Sequence, residues 1–244
     1  ARWPGTRTAF AWLGVGLLLF VIPVMFAAAA QGRVSQLERV AIFSLTPVFA
    51  IVLEPHLGNA RQPAASSLVA ALAAVAGALC IFPLDLPGSP AAAIAVLAMV
   101  LAAACVATGN CLAVRIASSS AAGSLALGAA LASGSAAFVF AVASVITEHA
   151  QWQFMPKTVP LAWMFFIDLP ALMLLFWLLR HMSAARMTMR FILAPLLTIL
   201  AGIALEQPAI TTRMILGIVL MTAGALWLLL APVEDIERSA IRIL

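Results

Sequence analysis

The chain has 244 residues, 65% of them hydrophobic and only 9% charged, against roughly 45–50% apolar and about 25% charged in an ordinary soluble domain. That balance excludes soluble enzymes, disordered tails and disulfide scaffolds. The net charge of +4 would suggest nucleic acid in a soluble protein, but the basic residues fall mostly between apolar runs, where they set orientation in a bilayer and call for no nucleic-acid partner.

In a bilayer the backbone must be helical or a closed barrel. A barrel shows short segments of alternating polarity, whereas this sequence has unbroken apolar runs. The expected class is all-α, a polytopic transmembrane helical bundle. Runs bounded by charge, Gly and Pro give about eight spans, at 9–30, 40–57, 66–83, 91–114, 121–147, 159–180, 187–206 and 213–231. The links are short, so the spans form one bundle. Residue 1 is Ala and no cleavable leader precedes the first run, which reads as a processed, trimmed or partial chain. The short polar tail after Pro232 reads as an interfacial or cytosolic end.

Basic residues alternate unevenly between the two sides. Arg2, Arg7, Arg61, Arg115, Arg180, Arg186, Arg190, Arg238 and Arg242 fall on one side. Arg33, Arg39, Lys157 and Arg213 fall on the other. The richer side should be cytoplasmic, placing both ends of this chain inside a cell (inner) membrane.

In chain order, the second span carries Pro47 near its middle, which removes a donor and frees a carbonyl. Ser44 and Thr46 just before it either offer hydroxyls to a substrate or satisfy the freed backbone. Glu54 and Glu206 lie near span ends and read as interfacial. Cys80, Cys105 and Cys111 sit in apolar runs without CxxC spacing or a neighbouring His, so they read as small hydrophobes, and no metal site is expected. Thr108 and Asn110 approach the end of the fourth span. Asn110 reads as interhelical glue or as a substrate contact. In the fifth span, Gly123, Ser124, Gly128, Ser133, Gly134 and Ser135 form a small-residue face suited to close helix approach. Trp152, Trp163 and Trp177 sit where belt anchors sit, and Trp163 is close enough to Asp168 to wall a cavity with it.

Asp168 is the sharpest single signal. It lies about eight residues into an apolar span, roughly 12 Å deep at 1.5 Å per residue, close to the midplane of a ~30 Å core. An acid there faces a cavity or a partner. It reads as a proton-coupling site, a contact for a substrate amine, or a structural acid hydrogen-bonded to a neighbouring helix. Arg186 and Arg190 share a helix face and either draw an anionic substrate or set orientation. Pro195 repeats Pro47 near mid-span.

The chain also repeats itself. Ser35 and Pro47 map onto Ser183 and Pro195, both 148 residues on, and Ala76–Leu79 matches Ala223–Leu226 at 147. Five crossings separate equivalent positions, so the second copy should be inverted relative to the first, a pattern typical of alternating-access transporters. The expected division is 1–86 for an incomplete first repeat of three spans, 87–233 for a five-span second repeat, and 234–244 for the tail.

These residues resemble the EamA-type branch of the drug/metabolite transporter superfamily. The stretch His181-Met182-Ser183-Ala184-Ala185-Arg186 through Pro195-Leu196-Leu197-Thr198 to Gly202 and Glu206 resembles that family's ninth-helix region. Leu216-Gly217 through Gly224 is similar to its closing helix, and Gly109-Asn110 to its sixth. The resemblance implies ten helices in two inverted five-helix repeats, of which the eight spans here match the third through tenth. Gly58 stands where the first repeat would carry its Glu. No Walker loop, nucleophile elbow or metal cluster appears, so neither an enzyme nor a cofactor is expected. The resemblance implies a secondary transporter, an exporter of amino acids or similar small metabolites, with a cavity near Asp168, Pro47, Pro195, Ser44, Thr46, Asn110 and Trp163. The expected partners are the lipid bilayer, a small-molecule substrate and, as an open possibility, a second copy in a homodimer. The rival expectation is a non-transporting membrane subunit or truncated remnant that needs a partner.

Overall fold

The computed structural model describes residues 5–57, 65–84, 88–119, 124–147, 163–206 and 211–230. Arg2, Gly58, Arg61, Gly123, Trp152, Lys157, the polar tail and the side chain of Glu206 lie outside the described residues. Within them all regular structure is helical. Six helices are long and apolar enough to cross a membrane: Thr6–Ala29, Gln36–Leu57, Pro90–Ser118, Leu125–Ile146, Ala184–Leu205 and Thr212–Leu230. The other two expected spans appear as shorter apolar helices, Ala65–Ile81 and Met164–Leu178. This is the make-up of a multi-pass membrane protein.

The first helix is not uniform. α1 (Thr6–Gly16) passes into a π-helical turn, Leu17–Val21, and then into α2 (Ile22–Ala29) with Pro23 in its first turn. Proline cannot donate to the preceding turn, and a widened π turn accommodates the local mismatch. The helix ends at Ala30, and Gly32 takes φ +77 in the turn that follows, a conformation that costs glycine little. α3 (Gln36–Phe43) opens on a capping box: the Ser35 hydroxyl accepts from the Glu38 N–H at 3.2 Å, and the Glu38 carboxylate accepts from the Ser35 N–H at 2.6 Å. A break at Ser44–Leu45 separates it from α4 (Thr46–Leu57). Pro47 is therefore the second residue of α4, where a missing N–H is costless, and not a kink in mid-helix as expected.

α5 (Ala65–Ile81), α6 (Pro90–Ser118) and α7 (Leu125–Thr147) follow. Ser89 caps α6 by accepting from Ala92 N–H, and Pro90 sits at its first position. A second π turn, Met164–Asp168, leads into α8 (Leu169–Leu178), again with Pro in its first turn. Both π turns and both prolines are 147 residues apart. Ser183 caps the short α9 (Ala184–Thr188) by accepting from Arg186 N–H, as Ser35 caps α3. α10 (Arg190–Glu206) holds Pro195 in its interior, and α11 (Thr212–Leu230) closes the described chain.

α6 is the central post: it packs on α2 and α4, while α7 packs on α1. Small residues permit the approach. The Cβ position of Gly16 is occupied by the Ala132 carbonyl and the Ser135 hydroxyl, and Gly128 receives the ring of the fully buried Trp12. The other tight pair is α5 with α11. A Cβ on Gly77 would stand 2.6 Å from the Gly217 carbonyl oxygen and 2.7 Å from the Met221 nitrogen. A Cβ on Gly224 would meet Ala70 and Ala74, and one on Gly217 would meet Ile81. Rising numbers on one helix thus meet falling numbers on the other, so the two run antiparallel. The contact is also reciprocal. Gly224 is 147 residues after Gly77, and the pair Gly217 and Met221 is 147 after Ala70 and Ala74.

Burial is unequal at the same offset. Leu19 is 8% exposed and Ala30 fully buried, both packed near α6, whereas their counterparts Phe166 and Trp177 on the second π turn and α8 are 81% and 52% exposed.

Candidate functional site

The break between α3 and α4 and the break between α9 and α10 place two phenylalanines against each other. Phe43 and Phe191 stack with ring centroids 5.8 Å apart and planes 23° apart. They are 148 residues apart, the offset that also relates Ser35 to Ser183 and Pro47 to Pro195. Beside this pair lies a cavity of about 430 Å³ between α2, α3, α6 and α10. Its apolar wall includes Ala27, Val40, Met99 and Pro195 with the two rings. Its polar wall is Gln36, Arg39 and Arg190.

The two guanidiniums are held differently. Arg39 donates from Nε to the Val34 carbonyl at 3.2 Å, which fixes the plane of the group. Arg190 lies with its guanidinium carbon 4.9 Å from the centre of the Phe191 ring, within cation–π range. Its Nη1 is buried and, among the described residues, has no hydrogen-bond partner. Arg190 also borders a second, apolar cavity of about 290 Å³ with Arg186, between α8 and α10. An unpaired buried donor on a cation is costly, and an anion is the group that would relieve it.

Of the residues expected to line a cavity, Pro195 does so. Ser44 and Thr46 are buried, and each hydroxyl donates to a backbone carbonyl of α3: Ser44 to Ala41 at 2.5 Å and Thr46, across the break, to Phe43 at 2.6 Å. They satisfy backbone rather than face a substrate, and Pro47 is buried beside them. Asn110 is fully buried; its amide nitrogen donates to Val106 at 2.7 Å, while its Oδ1 has no partner among the described residues. Thr108 donates to Ala104 on its own helix.

Asp168 is displaced most from its expected place. It ends the second π turn on an exposed face and does not line the cavity beside Pro195. Trp163 is 60% exposed on the same stretch. Between α7 and α8 runs a larger apolar groove of about 720 Å³, floored by residues such as Ala129, Leu169, Pro170 and Phe176.

Glu54 stands near the end of its span, as expected, and also holds a specific contact. It is half-buried on α4, and its two carboxylate oxygens accept from the backbone N–H groups of Ala184 at 3.0 Å and Ala185 at 3.4 Å. It therefore ties α4 to the start of α9 across 130 residues. Cys111 is buried in the same region and donates weakly to the Ala50 carbonyl at 3.8 Å, in keeping with a small core residue. Sequence alone gives Arg39 and Gln36 no chemical role. The available signal is Gln36, Arg39 and Phe43 at helical spacing on one face, set against Arg190 and Pro195 further on.

No protein-family model matches the sequence, and no curated protein matches it. One solved crystal structure, of a protein given no functional name, shares the fold with a TM-score of 0.70 at 16% identity. The match covers 97% of this chain and 78% of the other. At that identity the likeness speaks for the fold alone.

Proposed function

We propose that this chain is a secondary active transporter of small metabolites across the cell membrane, built as two inverted repeats that alternate access to a shared cavity. The observation that carries this reading is the position of the cavity. It lies beside Phe43 and Phe191, equivalent residues of the two copies, and holds polar groups about eight residues or less into each span. The antiparallel, reciprocal contact of α5 with α11 supports inversion, because equivalent helices of an inverted repeat run in opposite directions. The eight-span count rests on adding the two shorter apolar helices to the six long ones. The resemblance to drug/metabolite transporters adds the direction of export and amino acids as one substrate class, and the count of basic residues on the two sides adds cytoplasmic ends.

The test is flux. The purified chain in proteoliposomes, loaded with a panel of labelled amino acids and organic acids, should exchange at least one of them faster than protein-free vesicles. Equal rates across the whole panel refute transport. An imposed pH gradient should drive that flux through Asp168, and undiminished gradient-driven flux in Asp168→Asn removes the proton role.

A second reading, a membrane subunit completed by a partner, is favoured by one feature. Asp168 sits on an exposed face, and an acid at mid-depth in lipid costs about 2.5–3.5 kcal/mol on insertion scales. A protein neighbour against α8 would remove that cost.

A further inference from the structure

We propose that the cavity between Arg39 and Arg190 is a seat for a small organic anion, a carboxylate on an apolar body without a positive charge, and that a zwitterionic amino acid is a poor fit. The proposal deepens the transport reading, on which it rests, by naming the substrate class. Two guanidiniums border one cavity, and no Asp or Glu stands among the described residues lining it. A ligand carboxylate would find planar donors of matching geometry. A ligand ammonium would meet two cations and no acid.

Two further observations point the same way. The Nη1 of Arg190 is buried without an acceptor among the described residues. An arginine serving only as an orientation signal extends its whole head to water, whereas the Nη1 of this one is enclosed in the fold. The two arginines also depart from the internal pattern. At the 148-residue offset, Arg39 corresponds to Met187 and Arg190 to Ile42, both buried apolar residues. The repeated architecture asks for hydrophobes at these positions, and the chain has placed a cation at each, on the same cavity. Phe43, Phe191 and Met99 supply an apolar wall suited to an aromatic or aliphatic body.

An anionic head on an apolar body can come from water as a solute or from the bilayer as a lipid. The proposal commits to the solute, and the test separates the two. The full chain is placed in phosphatidylcholine nanodiscs and titrated with 3-phenylpropionate and with phenylalanine, which differ by the ammonium group. We expect 3-phenylpropionate to bind at least tenfold tighter. Arg39→Gln and Arg190→Met should each weaken it at least tenfold. Arg190→Lys, which keeps the charge but loses the planar fork, should weaken it less than Arg190→Met does, and Arg213→Gln, at a site remote from the cavity, should stay within a few-fold of the parent. Because Arg190→Lys keeps charge and Arg190→Met keeps the apolar stem against Phe191, lost folding is told apart from lost charge by the size-exclusion profile of each.

Equal affinity for the two probes overturns the proposal. So does parental affinity in the Arg39→Gln/Arg190→Met double variant. Loss of 3-phenylpropionate binding when phosphatidylglycerol replaces phosphatidylcholine assigns the seat to a lipid headgroup and overturns the solute reading. Binding is read without flux. Failure here therefore removes the anion class and leaves transport standing, whereas arginine-dependent binding without flux in proteoliposomes removes transport and leaves the seat.

Discussion

The α5–α11 contact makes a quantitative prediction about Gly77. A methyl group there would stand 2.6 Å from the Gly217 carbonyl oxygen and 2.7 Å from the Met221 nitrogen, both backbone atoms that cannot rotate away. Ordinary contact begins near 3.4 Å, so α11 would have to retreat by about 0.8 Å. A gap of that order forfeits roughly a quarter to a half of the dispersion energy of the atoms facing it, and overpacking of this kind costs about 1–3 kcal/mol. Alanine is otherwise favoured over glycine inside a helix by roughly 0.5–1 kcal/mol. The net expectation for Gly77→Ala is a loss of about 1–2 kcal/mol, up to about 30-fold in the folding equilibrium at 1.4 kcal/mol per tenfold.

The control lies in the same chain. Gly134 and Gly202 are helical glycines where an added Cβ would have nothing within 4 Å, so alanine there should be neutral or stabilising by up to about 1 kcal/mol. Gly224→Ala should match Gly77→Ala, because it meets Ala70 and Ala74 as Gly77 meets Gly217 and Met221. Reversible unfolding in mixed micelles, followed by helical ellipticity, measures all four. If Gly77→Ala is as stable as Gly134→Ala, the close approach of α5 and α11 is wrong, and the antiparallel argument for inversion goes with it.

Other substitutions probe the rest of the frame by the same unfolding measurement. Glu54→Ala should cost about 1.5–3 kcal/mol, because it removes the carboxylate that accepts hydrogen bonds from the Ala184 and Ala185 N–H groups; Glu54→Gln keeps an acceptor and should cost less. Ser35→Ala should cost about 1 kcal/mol through the lost N-cap of α3, and Ser183→Ala less, since Glu54 also reaches the start of α9. Asp168→Leu should raise the stability of the isolated chain, because the acid lies on an exposed face; a loss would mean that Asp168 makes a contact the chain needs.

The membrane class and most of the spans are legible in the sequence because they depend on long apolar runs bounded by charge, Gly and Pro. The π turns are not: Leu17–Val21 and Met164–Asp168 sit in apolar stretches where a gained residue per turn leaves no trace in periodicity. Asp168 shows the same limit in another form. Counting residues along a span gives depth but not direction around the helix axis, and a helix apolar on every face carries no signal for which side is covered. Direction is set by neighbours, and among the described residues α8 has less cover than α6 and α7 give α1 and α2. The sequence puts Pro47 at the right residue but in the wrong local role, because the break at Ser44–Leu45 turns a mid-span proline into a first-turn proline. Arg39 reads only as an orientation marker because it stands four residues into its helix, where charge normally answers to the membrane surface.

The proposed repeat would separate what the architecture requires from what one copy adds. Residues that agree at the 147 or 148 offset do structural work that both copies need. Ser35 and Ser183 cap helices, Pro23 and Pro170 follow π turns, and Gly77 and Gly224 admit a neighbouring backbone. Three residues that disagree by a charge stand apart from this structural work. Arg39 faces Met187 in the correspondence, Arg190 faces Ile42, and Asp168 faces Val21. On the transport reading, a charge set where the scaffold accepts a hydrophobe costs stability without improving the fold, so these three positions would be where a specific function is laid over a general frame. Two of them meet at one cavity. The third ends the π turn before α8, on a face exposed among the described residues, so on this reading the cation pair and the lone acid would answer to different partners.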